Sequence, residues 1–203
     1  ADSKLEAEKA SLAFSANVSG QVKTLVCAVR PHVIFGIGDN RLIPAIIAKA
    51  KLGQLKRHVG NREKKWDFTY IDNLVDAIVT CEDKLVPGSA AAGQAYFVTN
   101  GEPMPFFEFV ERMLGHWGYP PITGKVPYWL AYSVASVGEF WDTLKGGTLN
   151  NENGLTRFSI QYMATDHYYS IAKIEKDLGW RPKVNLQESI RRTAQGVRAA
   201  GKI

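Results

Sequence analysis

Apolar and polar positions divide the chain into a few readable stretches. Residues 24–29, TLVCAV, carry apolar side chains with no polar alternation. A strand covered by helices on both faces of a parallel α/β sheet reads this way. Arg30-Pro31 closes the run, because proline brings no amide N–H to a ladder and fixes its own φ. Gly36-Ile37-Gly38-Asp39 follows and permits a tight, backbone-exposed turn. A buried strand that ends in such a loop is where α/β proteins place ligands.

Helical spacing accounts for most of the rest. Residues 1–17 are rich in good helix formers, with Gly20 as their stop. Leu42, Ile43, Ile46, Ile47 and Ala50 form a stripe over 41–52, closed by Gly53. Residues 57–59 read as a short strand, and 67–71 alternate like one. Asp72 is placed to cap a helix running through Val75, Ile78 and Val79. A strand at 94–99 turns at Asn100-Gly101 into a helix at 106–117, with Phe106, Phe109, Val110, Met113 and Leu114 at core spacing. The most apolar helix is 125–144, loaded with Tyr128, Trp129, Tyr132, Phe140 and Trp141. After a polar loop at 146–154, short helices are expected at 171–178 and 186–199, the latter with Ile190, Ala194 and Val197 inward.

Composition narrows the class without deciding it. The 203 residues are 45% hydrophobic and 22% charged, ordinary for a globular protein. Net charge is +5 with no dominant basic run, so scattered surface charge is preferred to nucleic-acid binding. Cys27 and Cys81 lie in apolar contexts and read as core thiols of a reducing compartment. No two of the four histidines have metal-ligand spacing, so no metal site is predicted. The uncharged stretch from 126 to 138 is shorter than a membrane-spanning helix needs.

Four motifs carry a resemblance. RPHVIFGIGD at 30–39 resembles the RPxxIYGxGD segment of extended short-chain dehydrogenases, the 3β-hydroxysteroid dehydrogenase group in particular. DFTYIDNLVDA at 67–77 resembles that group's DFTYVxNVxxA. LTRFSIQYMATDHYYS, from Leu155 to Ser170, resembles a segment of sterol dehydrogenases acting on 4α-carboxysterols. LGWRP at 178–182 resembles a signature near the end of extended short-chain dehydrogenases. The resemblance covers essentially the whole chain in order. It implies an α/β fold: the C-terminal part of a Rossmann-like extended short-chain dehydrogenase, with the last parallel strands and the small substrate-binding α/β subdomain. On this reading residues 1–203 are a partial NAD(P)- and substrate-binding domain. The N-terminal dinucleotide-binding half is not in the sequence, where no glycine-rich dinucleotide loop occurs.

The resemblance also implies chemistry. In the family the first helix opens with Tyr-x-x-x-Lys, and Ser3-Lys4 with Ala7-Glu8 match that flank, so the tyrosine falls one position before Ala1. A lysine four residues on lies on the same helix face, lowers the pKa of the phenol and holds cofactor ribose hydroxyls. Lys4 is therefore the catalytic and cofactor-binding candidate. Pro31, His32 and Val33 border the nicotinamide of NAD or NADP. Tyr70 and Asn73 are candidates for the substrate cavity, and Arg157 for pairing with a substrate carboxylate, each weighed against a packing role. His167 reads as a packed histidine. The implied activity is oxidation of a sterol 3β-hydroxyl, with decarboxylation for a 4-carboxysterol. Expected partners are a sterol or steroid, a membrane surface met through 126–144, and a homodimer mate or completing chain. The implied location is the cytoplasm, or the cytoplasmic face of the endoplasmic reticulum or a lipid droplet. A non-catalytic remnant keeping the substrate half is the alternative. A reductase of other carbonyls or nucleotide sugars is disfavoured by the match around His167.

Overall fold

The computed structural model describes residues 2–16, 24–144, 156–201 and 203. The stop expected at Gly20, the loop expected at 146–154, and Leu155 of the third motif lie outside them. In chain order the elements are α1 (Asp2–Ala16), β1 (Ala28–Pro31), β2 (Ile34–Phe35), α2 (Leu42–Lys51), β3 (Arg57–Val59), β4 (Lys65–Trp66) and β5 (Thr69–Tyr70). There follow α3 (Ile71–Lys84), β6 (Ala95–Val98), β7 (Met104–Pro105), α4 (Phe106–Gly115) and β8 (Gly124–Val126). Four helices close the list: α5 (Tyr128–Leu144), α6 (Arg157–Met163), α7 (Ala172–Leu178) and α8 (Leu186–Ala199). Parallel pairs join β1 to β6, β2 to β5 and β3 to β8, while β4 and β7 are antiparallel.

Two compact units divide the chain. The first comprises Ala1–Gly38, Asp67–Pro103 and Tyr169–Thr193. Its central strand differs from the expected one. Residues 24–27 carry no regular structure, and β1 pairs Ala28 with Ala95 through to Pro31 with Val98. Just before that start, Val26 O accepts from the Gly93 N–H at 2.8 Å, in the turn that leads into β6. Every residue of β1 is half-buried rather than covered on both faces. Among the described residues it has one ladder neighbour.

The helix after β5 also turns differently. Tyr70, in extended conformation, occupies the cap position, and Asp72 sits in the first turn, where its charge meets the positive end of the helix. Leu74, Ala77 and Cys81 face inward, while Val75, Ile78 and Val79 are exposed. The inward set packs with Ala91, Tyr96, Val98, Ile174, Leu178 and Trp180. Each fully buried large side chain contributes roughly 1.5–3 kcal/mol. Gly179 takes the left-handed conformation that ends α7, with φ 71°. The next residue, Trp180, is buried with its indole N–H donated to Asp76 Oδ2 at 3.0 Å.

The second unit is Asp39–Trp66, Met104–Tyr168 and Ala194–Ile203. Asp39 launches α2: its Oδ1 accepts from the N–H of Arg41 and Leu42, and its Oδ2 from Ile43, at 2.7–3.1 Å. That satisfies donors which a helix start leaves orphaned. The inward face of α4 is Phe107, Phe109, Val110, Met113 and Leu114, so Phe107 takes the core place expected of Phe106. The start of α5 falls at Tyr128, not 125, because Gly124–Val126 is used as β8. Ala131 and Ala135 of α5 pack on Ile160 of α6, whose first turn closes with a reciprocal Thr156–Ser159 capping box.

Candidate functional site

β1 and β6 run parallel, so their carboxyl ends share one edge of the ladder, the side where α/β folds bind ligands. The chain leaves β1 through Pro31, His32 and Val33. Thr69 grips this loop: its hydroxyl donates to His32 O at 2.6 Å and accepts from His32 N–H at 3.2 Å. Thr69 N–H bonds Val33 O at 3.1 Å, and His32 Nδ1 donates to the Asp67 carbonyl at 3.1 Å. Val33 is held at φ 40°, among the described residues the one non-glycine with positive φ. A β-branched residue there is strained, and strain of this kind persists only where the surroundings impose it. No hydrogen bond engages the Val33 N–H among the described residues, so the loop presents an open donor.

Asp67 stands beside this loop, 1% exposed. Its carboxylate accepts from the Tyr169 N–H at 2.5 Å. Burial pushes its pKa up, and hydrogen bonds from Tyr169 N–H and the Thr99 hydroxyl pull it partly back. Asp67 thus fastens Tyr169 beside this loop. Lys4 is exposed on α1, in the same unit as the loop.

The other two candidates in this unit are committed inward. Tyr70 is 1% exposed. Burial, then hydrogen bonding and charge from Asp72, raise its phenol pKa, with Arg192 opposing. Asn73 spends its whole amide on the fold. Nδ2 donates to Val184 O at 2.8 Å and Asn100 Oδ1 at 3.2 Å. Oδ1 accepts from the N–H of Lys183 at 3.1 Å and of Val184 at 3.0 Å. The cavity-lining positions expected for both are occupied by internal hydrogen bonding.

Arg157 belongs to the second unit and opens α6. Its N–H donates to Glu139 Oε1 at 2.8 Å and its Nε to Glu139 Oε2. The backbone N–H first, then the guanidinium, hold the Glu139 carboxyl below its usual range. His167 packs as expected, flat on Tyr162 at 3.8 Å, with Nε2 donating to Tyr162 O at 2.8 Å. Trp129, Phe140 and Trp141 stand exposed on α5, Trp129 at 68%.

Sequence reasoning left Asp67 and Thr69 without roles although both lie in a quoted motif. The signal was their polarity inside an otherwise apolar stretch, since a buried polar side chain needs a partner.

Comparison with known proteins follows the same residues. The family model described as the 3-beta hydroxysteroid dehydrogenase/isomerase family matches residues 1–126. A 2-alkyl-3-oxoalkanoate reductase of Stenotrophomonas maltophilia is 39% identical over 166 residues, covering 81% of this chain and 49% of that protein. The decarboxylating sterol-4-alpha-carboxylate 3-dehydrogenase of Mus musculus is 34% identical over 171 residues, covering 84% and 47%. The chain therefore spans about half the length of the curated relatives it matches. Among solved structures, a dTDP-glucose 4,6-dehydratase of Bacillus anthracis in complex with NAD superposes with TM-score 0.63 at 17% identity, covering 99% of this chain and 52% of that one. That likeness shows a Rossmann-like extended short-chain dehydrogenase fold. Since the family match runs through Lys4, the loop at 31–33 and the segment 67–73 together, the chain belongs to the 3-beta hydroxysteroid dehydrogenase/isomerase family.

Proposed function

We propose that the natural protein oxidises the 3β-hydroxyl of a sterol bearing a 4α-carboxylate, with NAD or NADP as hydride acceptor, and that the product loses carbon dioxide. The observation that carries the reading is the strained loop at 31–33, whose open Val33 N–H at a strand's carboxyl end suits a nicotinamide carboxamide. Lys4 is exposed in the same unit, and its ammonium fits both ribose hydroxyls and a neighbouring phenolate that takes the substrate proton. The cofactor supplies a place for the hydride. A 3-ketone so formed is β to the carboxylate, so the carbon–carbon bond breaks with its electron pair passing into the enolate.

A second reading is favoured by the 39% identity to a protein named as an oxoalkanoate reductase. Both named substrates place an oxygen function β to a carboxylate, so one site chemistry serves either. The purified natural protein, assayed with a 4α-carboxysterol and NAD or NADP for reduced cofactor and the decarboxylated ketone, tests the first reading. Reduction of a 2-alkyl-3-oxoalkanoate without sterol turnover overturns it in favour of the second.

The exposed aromatic face of α5 suits an interfacial position at a lipid surface, from which an apolar substrate enters. Among the described residues no helix is long and apolar enough to cross a membrane. Replacing Trp129 and Trp141 with serine is expected to lower binding to lipid vesicles. An unchanged bound fraction refutes the lipid contact.

A further inference from the structure

Lys4 and Glu8 are one turn apart on α1, so their side chains leave the same face of the helix. Glu8 reaches across to β1. Arg30 Nε donates to Glu8 Oε2 at 2.8 Å, and Arg30 Nη2 donates to Glu8 Oε1, a two-point pairing of guanidinium and carboxylate. The hydrogen bonds hold the Glu8 carboxyl below its usual range and the Arg30 guanidinium above its own. Arg30 occupies the β1 position immediately before Pro31.

The same guanidinium sits over the Phe97 ring, 5.3 Å from its centroid. Phe97 lies flat on Tyr169, centroids 4.4 Å apart, and Tyr169 meets His32 edge-on at 5.6 Å. Arg30 is therefore fixed on two sides, by α1 and by the aromatic stack that ends at the loop. The other side-chain hydrogen bonds of α1 among the described residues, Lys9 to Glu6 and Ser11 to Ala7 O, stay inside the helix.

We propose that Glu8 and Arg30 are a positioning pair for the reaction. They fix the rotation and height of α1 against β1, and so set where the Lys4 ammonium stands relative to Pro31, His32 and Val33. A bidentate contact suits this role, because a single point charge leaves the helix free to roll about its axis. The inference rests on the role proposed above for Lys4. Neither Glu8 nor Arg30 is asked to touch substrate or cofactor.

Four variants of the natural protein separate the possibilities: Glu8→Gln, Arg30→Lys, the exchanged pair Glu8→Arg with Arg30→Glu and, as a control, Lys4→Met. A misplaced ammonium depresses the acid/base pKa less. Glu8→Gln is therefore expected to move the alkaline-rising limb of the kcat/KM profile to higher pH. It should lower kcat by about tenfold or more, with substrate KM little changed, since small misplacements cost that much. Arg30→Lys keeps the charge and its place over Phe97 but loses the second hydrogen bond, and should give the same shifts at smaller size. It also serves as the measurement if Glu8→Gln does not fold. The exchanged pair, Glu8→Arg with Arg30→Glu, should restore part of both kcat and the limb. Lower melting temperatures with wild-type kcat and an unmoved limb overturn the proposal and leave a stability contact. If Lys4→Met retains wild-type turnover, the catalytic reading of Lys4 falls and takes this one with it. If Lys4→Met is inactive while the other variants keep the wild-type profile, only the positioning role falls.

Discussion

Replacing Asn73 with alanine removes four hydrogen bonds at once, and the structure says how each loose end fares. Val184 O keeps a donor, because Asn100 Nδ2 also reaches it at 3.1 Å, and Asn100 Oδ1 still accepts from the Tyr70 N–H at 2.9 Å. The Lys183 N–H belongs to an exposed residue and can turn to water. The Val184 N–H belongs to a half-buried residue and is left without its acceptor. At about 1 kcal/mol each for the two bonds lost without a stranded group, to Asn100 Oδ1 and from the Lys183 N–H, and about 1 kcal/mol for the stranded Val184 donor, the sum is about 3 kcal/mol. For a domain of this size that corresponds to a fall of roughly 6–12 °C in melting temperature. Asn73→Asp sharpens the test. A carboxylate restores both acceptor bonds but faces Val184 O and Asn100 Oδ1 with no proton to offer. Its folded pKa is then raised above the unfolded one, so the folded state binds more protons and stability falls as pH rises through that window. The aspartate variant should lie closer to wild type near pH 4 than at pH 7–8. Thermal melts of the purified natural protein across that range supply the measurement. A shift below about 2 °C for the alanine variant, or an aspartate variant equally damaged at both pH values, refutes the assignment of Asn73 as a strut.

Three further outcomes are expected. A Cβ on Gly36 overlaps Ile71 Cγ2, at a φ of +155° that side chains rarely adopt; Gly36→Ala should cost about 1–3 kcal/mol, and adding Ile71→Ala should recover part of it in urea melts. Burial raises the Asp67 carboxyl, so its contribution is greatest at low pH and is lost as pH rises from the ordinary carboxylate value through the raised folded one; Asp67→Asn should flatten that slope, and an unchanged slope shows that Asp67 is not its source. Burial, with Cys27 beside it, pushes the Cys81 thiol up to about 12, so Cys81 should react with a maleimide at pH 8 only after denaturant is added; rapid modification in native protein contradicts the placement.

Helices were legible where the apolar stripe was long. Residues 186–199 were read as a helix with Ile190, Ala194 and Val197 inward, and α8 has those bounds with those side chains buried. Strands were not, because β2, β4, β5 and β7 are two residues each and too short to show a period. The register of β1 was invisible for another reason: it depends on where β6 begins, almost seventy residues later. In α3 apolar residues at 74, 75, 77, 78, 79 and 81 offered two faces, and packing with Tyr96 and Trp180 chose Leu74, Ala77 and Cys81. For the site, the motif resemblance pointed to the loop at 31–33, and Lys4 shares its unit. It did not foresee that Asn73 is consumed by a backbone segment 110 residues away. Such a partner leaves no trace in local sequence.

The first unit is drawn from three separated stretches, the last of which supplies Ile174, Leu178 and Trp180 to its core. This imposes an order on its birth. A ribosome working at about 5–20 residues per second delivers Leu74, Tyr96 and Val98 several seconds before Trp180 emerges to cover them. Through that interval the nascent chain carries a half-made core, open to chaperones and to other chains alike. A message that stops before Ile174 would leave that core permanently uncovered, so the cell should treat its product as it treats a misfolded protein.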